Sequence, residues 1–411
     1  MTKLTYVMIF AMASGSAWAQ INEIMDAAGD GMGQALEFPR AVVVDSQGRV
    51  YVAGMDSNNV FRLDTASPCN TSSQPCQWTE IMDSSAAGVP GQSLLAPHAL
   101  AVDDLDNLYV AGRFSDNVWR INNPQNCSTS STPCDIHEII NIDGDGTHEM
   151  DGPFDVVVDP MNHVYVAGTS SNNVFRLAAS DSCSTGGTPC DITEIVDGTG
   201  DGSNNFFQPG ALAIDPMGHV YSSNFGDNVF KIELPGDCNT TAGDCVVTEI
   251  MNEDDFGTLD LGNGLVADSL GHVYVSSLGS GVGPKVYQID VSQSCGTSGA
   301  GCAITEIFSS TSPQQVFALA IDAADNVYLA GGNGDNAFRI DRPEDCNALT
   351  DPCQITSLID ATGDGSAMLS GARELAVGGR DVYVLGADSD NAFRLHGVAD
   401  LSDLIFEDDF E

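Results

Sequence analysis

Twelve cysteines in this 411-residue chain fall into six pairs, and no cysteine is left over. Cys69 pairs with Cys76, Cys127 with Cys134, Cys183 with Cys190, Cys238 with Cys245, Cys295 with Cys302, and Cys346 with Cys353, always with six residues between. Two thiols placed across one turn can reach the Cα separation a disulfide needs. Zinc would ask for closer CxxC pairs and histidine partners, which this spacing does not offer. Six local disulfides are the expectation. A second set of residues is acidic and glycine-rich: Asp26–Gly31, Asp143–Gly146, Asp197–Gly202 and Asp360–Gly365. Hard carboxylate oxygens on a flexible backbone are what calcium requires, so Asp30, Asp143, Asp145, Asp201 and Asp364 are candidate ligands and calcium is the one cofactor suggested. The pattern is not an EF-hand, because His148 stands where that loop needs glycine. Aspartate and glycine also form turns without any metal, and both readings stand.

These residues sit in a repeat. The stretch Pro97–Ile140, "PHALAVDDLDNLYVAGRFSDNVWRINNPQNCSTSSTPCDIHEII", returns at Pro153–Val196 and, in part, from Pro39. Each unit has four apolar runs. The first ends in aspartate, at Asp45, Asp103, Asp159, Asp215 and Asp322. The second is of the type "VYVAG", the third of the type "NVFR", and the fourth of the type "ITEIV". Valine, isoleucine, phenylalanine and tyrosine bounded by glycine, asparagine and proline predict strands and turns. Runs one and two are apolar almost throughout, as in strands buried on both faces, whereas the mixed fourth run predicts an outer strand. A period of about 55 residues with four short strands predicts propeller blades.

First-to-third-run sets begin near Pro39, Pro97, Pro153, Pro209, Gly262, Val316 and Ala372, which makes seven. Fourth runs also number seven, but the first, Ile21–Met25, precedes every set, and nothing follows the last. The expected fold is therefore all-β: a seven-bladed propeller of four-stranded antiparallel blades, closed by the N-terminal strand. Closure hides the edges an open array would expose. The expected organisation is a signal peptide over 1–19, a propeller over 20–396 and a short acidic tail over 397–411.

The phrase "P..VVVD..G.VYVAG..SNNVFR" resembles the NHL repeat, and the likeness runs from Ile21 to Leu395. The resemblance implies propeller architecture. NHL-type and related propellers include protein-binding sensors as well as metal-dependent lyases and lactonases, so fold does not select the activity. The cysteine pair is an addition to the general NHL pattern.

The opening "MTKLTYVMIFAMASGSAWAQ" has Lys3, an apolar run and Ala17-Trp18-Ala19, which together predict a secretory signal cut before Gln20. Secretion fits the cysteine usage. No later stretch is apolar enough to span a bilayer. A formal charge of −44 repels nucleic acid and anionic membranes. The ending "IFEDDFE" resembles an "IFxDGFE"-type tail of some exported bacterial proteins.

In a propeller, the loops from fourth to first strand and from second to third share one face, where ligands meet the channel mouth. The acidic loops belong there. So do the residues that open each first strand: Arg40, His98, Phe154, Gly210, Asn263, Phe317 and Arg373, followed by Ala41, Ala99, Asp155, Ala211, Gly264, Ala318 and Glu374. They differ from blade to blade on a repeated scaffold. Arg373, Arg40 and His98 form a basic pole for a ligand carboxylate or sulfate. Asp155, Asn263 and Glu374 are the set that a central metal would need, as in lactonase-like propellers. His163, His219 and His272 share one turn position and read as structural. No nucleophile elbow, P-loop or HExxH motif is present. The sequence thus favours a monomeric, non-enzymatic module binding a protein, glycan or small ligand on its loop face. The alternative is a metal-dependent lyase or lactonase-like enzyme at the channel mouth.

Overall fold

A computed structural model describes residues 20–399 apart from 65–68, 86–91, 179–182, 226–227, 234–237, 242, 244, 253–260, 279–282, 292–294, 297–300 and 311–314, and in the strand at 261–263 and at Asp345 the backbone alone. The proposed signal peptide and the tail beyond residue 399 lie outside the described residues. Seven four-stranded antiparallel sheets stand in a ring. Blades 1 to 6 each take four consecutive strands: 39–82, 97–140, 153–196, 209–251, 261–309 and 316–359. Blade 7 joins Ala372–Gly378, Asp381–Gly386 and Asn391–His396 to the N-terminal strand Gln20–Met25. Ile21 lies opposite Leu395 and Glu23 opposite Phe393, with a bulge between Glu23 and Met25.

Burial explains the composition of each run. Every residue of second strands such as Val50–Gly54, Leu108–Gly112 and Val327–Gly331 is buried, because each is covered by a neighbouring blade on both faces. The tyrosine in this strand has one polar atom to satisfy, and the aspartate that closes the first strand satisfies it. Tyr51, Tyr109, Tyr165, Tyr221, Tyr274 and Tyr328 donate to Asp45, Asp103, Asp159, Asp215, Asp268 and Asp322 at 2.8–3.1 Å. The same aspartates cap the intervening turn by accepting backbone N–H groups two and four residues on, as at Asp159 from Met161 and His163. His163, His219 and His272 place Nδ1 at 2.7–2.8 Å from these carboxylates. They are turn partners.

The six disulfides are the six expected. Cys69 is bonded to Cys76, Cys127 to Cys134, and Cys183 to Cys190. Cys238 is bonded to Cys245, Cys295 to Cys302, and Cys346 to Cys353. Their Cα atoms lie 4.8–5.0 Å apart, which is the separation of facing positions in a hairpin.

The outer strand departs from expectation. Its glutamate, read from the sequence as part of a mixed outer surface, is buried at Glu23, Glu80, Glu138, Glu194 and Glu249. One oxygen accepts from the asparagine that opens its own blade's third strand, at 2.9–3.4 Å for Asn391, Asn59, Asn117, Asn173 and Asn228. The other accepts from a threonine in the next blade's cysteine hairpin: Thr71 on Glu23, Thr129 on Glu80, Thr185 on Glu138 and Thr240 on Glu194, at 2.5–2.7 Å. These hairpins, closed by their disulfides, are therefore clasps between blades as well as turns within one.

Candidate functional site

First strands line the central channel, and their opening residues face its loop-side mouth. Below the mouth is a chamber of about 370 Å³ lined by Arg40, His98, Asp155 and Glu374, with walls of alanine, valine and leucine such as Val42, Leu100 and Leu265. Arg40 is buried, so desolvation pulls its guanidinium down to about 10. Its Nε donates to His98 Nε2 at 3.2 Å, and Nη1 reaches the Arg373 carbonyl at 3.4 Å. Nη2 has no partner among the described residues.

The bond from Arg40 fixes the state of His98. Nε2 must accept, so the ring proton sits on Nδ1 and donates to the Phe154 carbonyl at 2.8 Å. Burial and the neighbouring arginines hold this imidazole well below its ordinary range, which keeps it neutral. Asp155 accepts from Leu212 N at 2.7 Å, tying blade 3 to blade 4, and from Val156 N at 2.8 Å. Glu374 accepts from Leu375 N through Oε1 at 3.1 Å, and its other oxygen has no partner among the described residues. Burial pushes both carboxyls up to about 7 despite the attraction of Arg40.

Arg373 leaves the chamber. Its guanidinium lies 4.6 Å from the centre of the Phe317 ring and 5.6 Å from that of Phe38. Arg113 does the same on the opposite side, 4.7 Å from Phe154 and 5.6 Å from Phe114. Phe225 meets Phe154 edge-on at 5.4 Å. Cations over aromatic faces gain about 0.5–2 kcal/mol and keep their N–H edges free for a ligand. Arg40, Arg113 and Arg373 make no ion pair among the described residues. By contrast Arg62, Lys231, Arg339 and Arg394, at one repeated position, pair with Asp64, Glu233, Asp341 and Asp381.

Sequence reasoning found Arg40, His98, Asp155 and Glu374, which the fold brings together, and Arg373, which it places on the rim. The side chain of Asn263 lies outside the described residues. Arg113 and Phe225 were missed. Both follow the second strand, where the sequence has Met55, Arg113, Thr169 and Phe225, and aligning that position would have exposed them.

Among the described residues, the side chains of this chamber do not present a metal site. A guanidinium occupies it, the accepting nitrogen of His98 is engaged, and the oxygens of Asp155 face backbone N–H groups. Among the described residues no three or more His, Cys, Asp or Glu side chains are grouped to hold an ion. In the acidic loops the carboxylates cap their own turns: Asp30 accepts from Met32, Asp145 from Thr147 and His148, Asp201 from Ser203 and Asn204, and Asp364 from Ser366 and Ala367. Asp143 is part of the same turn, its carbonyl accepting from Gly146.

The ring of seven blades is shared with solved structures. Virginiamycin B lyase from Staphylococcus aureus matches with a TM-score of 0.60 at 11% identity, over 92% of this chain and 98% of that one. YCF48 from Cyanidioschyzon merolae matches at 0.59 and 12%, over 92% and 99%. The extracellular domain of a putative hybrid two-component system from B. thetaiotaomicron matches at 0.59 and 14%, over 93% of this chain and 43% of that one. The fold is a seven-bladed propeller. At these identities the likeness extends to architecture alone. No protein-family model and no curated protein matches the sequence.

Proposed function

We propose that this chain is an exported, NHL-like propeller that binds a ligand carrying anionic groups on its loop face. One observation carries the reading. In a chain of net charge −44, Arg113 and Arg373 stand at the channel mouth over phenylalanine rings, above Arg40 in the chamber, and none of the three is within ion-pair distance of a carboxylate among the described residues. Unpaired guanidinium forks are built to take carboxylate, sulfate or phosphate groups. Export is supported by the signal-like first 19 residues and by six disulfides. The module-like character of the fold is in keeping with the structural neighbours, which include an extracellular domain and a YCF48 bound to a peptide. The test is an array of acidic and neutral glycans and peptides, probed with the mature protein and with Arg113→Ala/Arg373→Ala. Acidic ligands should dominate the binders, and the double variant should bind them at least about tenfold more weakly, since each lost charged hydrogen bond is worth about 1.5–3 kcal/mol. Binders that are neutral and indifferent to the two arginines would remove the proposal.

A further inference from the structure

Beneath the rim, the chamber holds a guanidinium, two carboxyl groups and an imidazole whose protonation is already fixed. We propose that this chamber binds a small organic carboxylate, up to the size of a monosaccharide, on Arg40, and that it does so with Asp155 and Glu374 as neutral acids. The inference rests on the reading of the loop face as an anion-binding surface and assigns a second subsite to it, inside the channel.

The geometry supplies the donors. Arg40 is more than nine-tenths buried and lines the chamber, and its Nη2 has no partner among the described residues. Glu374 is half-buried and has one oxygen without a partner among the described residues, and a carboxylic acid there has a proton to donate to a ligand oxygen. Asp155 accepts a single backbone N–H on each oxygen, which leaves its acid proton free to point into the cavity. Charge decides the protonation state. With both carboxyls ionised, the chamber totals one negative charge around Arg40, and an incoming carboxylate makes it two in a site walled by alanine, valine and leucine. With both neutral, the chamber carries one positive charge, and the ligand brings it to zero. Uncompensated charge in such surroundings is expensive, so the neutral acids are the binding form.

The groups facing these carboxyls agree. Arg40 approaches from blade 1, and the backbone N–H groups of Val156, Leu212 and Leu375 approach from blades 3, 4 and 7. Arg113 and Arg373 stand at the rim, and His98 stays uncharged. Burial holds both acids near 7, so they are protonated below that pH and ionise above it. Ligand binding retains the protons, and the affinity falls as pH rises past 7.

Calorimetric titration of the mature protein with acetate, L-lactate and D-galacturonate, against acetamide, L-lactamide and D-galactose, tests this between pH 5.5 and 8.5. At least one carboxylate should bind at pH 6 while its neutral counterpart does not. Its affinity should fall about tenfold per pH unit above 7 for each coupled proton. Arg40→Gln should abolish binding at every pH. Glu374→Gln, which keeps the volume and removes the ionisation, should bind more tightly than the parent at pH 8.5 and should decide the matter if Arg40→Gln does not fold. An affinity independent of pH and unchanged in Glu374→Gln overturns the proposal. So does binding that survives Arg40→Gln but disappears in Arg113→Ala/Arg373→Ala, which leaves the loop-face reading standing. If no small carboxylate binds while acidic array ligands still do, the chamber proposal falls alone. If neither binds, both fall.

Discussion

A buried glutamate in the outer strand holds two blades at once. Glu138 accepts from Asn117 in its own blade and from Thr185 in the next, and Gln92 donates to it as well. Removing it strands several donors, each costing about 1–3 kcal/mol when left unpaired. Glu138→Ala should therefore destabilise the protein by about 3 kcal/mol in urea unfolding, and Glu138→Gln by less than half of that, since the amide keeps an acceptor in place. Equal costs would show that volume, not hydrogen bonding, explains the residue. Asp155 and Glu374 behave oppositely to most surface acids. Their folded-state values are raised from 3.8 and 4.5 to about 7. A raised acid contributes stability that is fully present below the unfolded value and is lost as pH rises toward the folded one. Melting temperature against pH should thus fall less between pH 4.5 and 7 in Asp155→Asn/Glu374→Gln than in the parent. Identical slopes would mean that neither carboxyl is perturbed by its burial.

At the scale of the element, the acidic loops show why two chemical readings fitted one sequence pattern. Gly144 has φ +57°, and a Cβ there would stand 1.8 Å from the His148 carbonyl oxygen. Gly29, Gly200 and Gly363 meet the carbonyls of Gln34, Asn204 and Ala367 in the same way at 1.9–2.0 Å. The turn requires glycine at these places, and the aspartate after it is used as the N–H acceptor. Gly144→Ala should cost at least about 2 kcal/mol, because both the left-handed backbone and the contact oppose the methyl group. A melt unchanged by this substitution would show that the loop can open freely. The pattern of aspartate and glycine is the same for a turn and for a metal loop, so the sequence alone could not separate them. The strands were legible for the contrary reason. Their apolar runs have one explanation, burial between blades, and every residue of "VYVAG" is buried in the second strand at Val50–Gly54 and at 164–168. The glutamate clasps were not legible, because their partners lie 46 to 49 residues away in the next repeat. In the site, side chains that differ between blades stood out, whereas Arg113 was hidden in a loop whose length and composition say nothing about the direction it faces.

The whole molecule depends on one strand that is far in sequence from the sheet it completes. Gln20–Met25 pairs with Asn391–His396, and its Glu23 serves Asn391 of blade 7 and Thr71 of blade 1 together. The Ile24 carbonyl also accepts from the Trp78 indole of blade 1 at 2.8 Å. The closing strand is thus joined on both sides, and the junction uses the same clasp as the ones within the chain. Deleting Gln20–Asp26 would leave the Asn391–His396 strand as an open edge and unsatisfy both clasp partners, while Ile24 and Met25 would vacate the core between blades 7 and 1. Edge exposure invites pairing with other chains. The deleted protein should melt lower by at least about 5 °C, since a domain of this size shifts roughly 1–2 °C per kcal/mol, and it should form larger species than the parent in light scattering. Glu23→Ala separates the two contributions: it loses the clasp and keeps the strand, so its melt should fall by a smaller amount and its mass in solution should stay that of the parent. A deletion that melts like the parent would mean that the ring is held by its six contiguous blades and that the N-terminal strand is an ornament on the seventh.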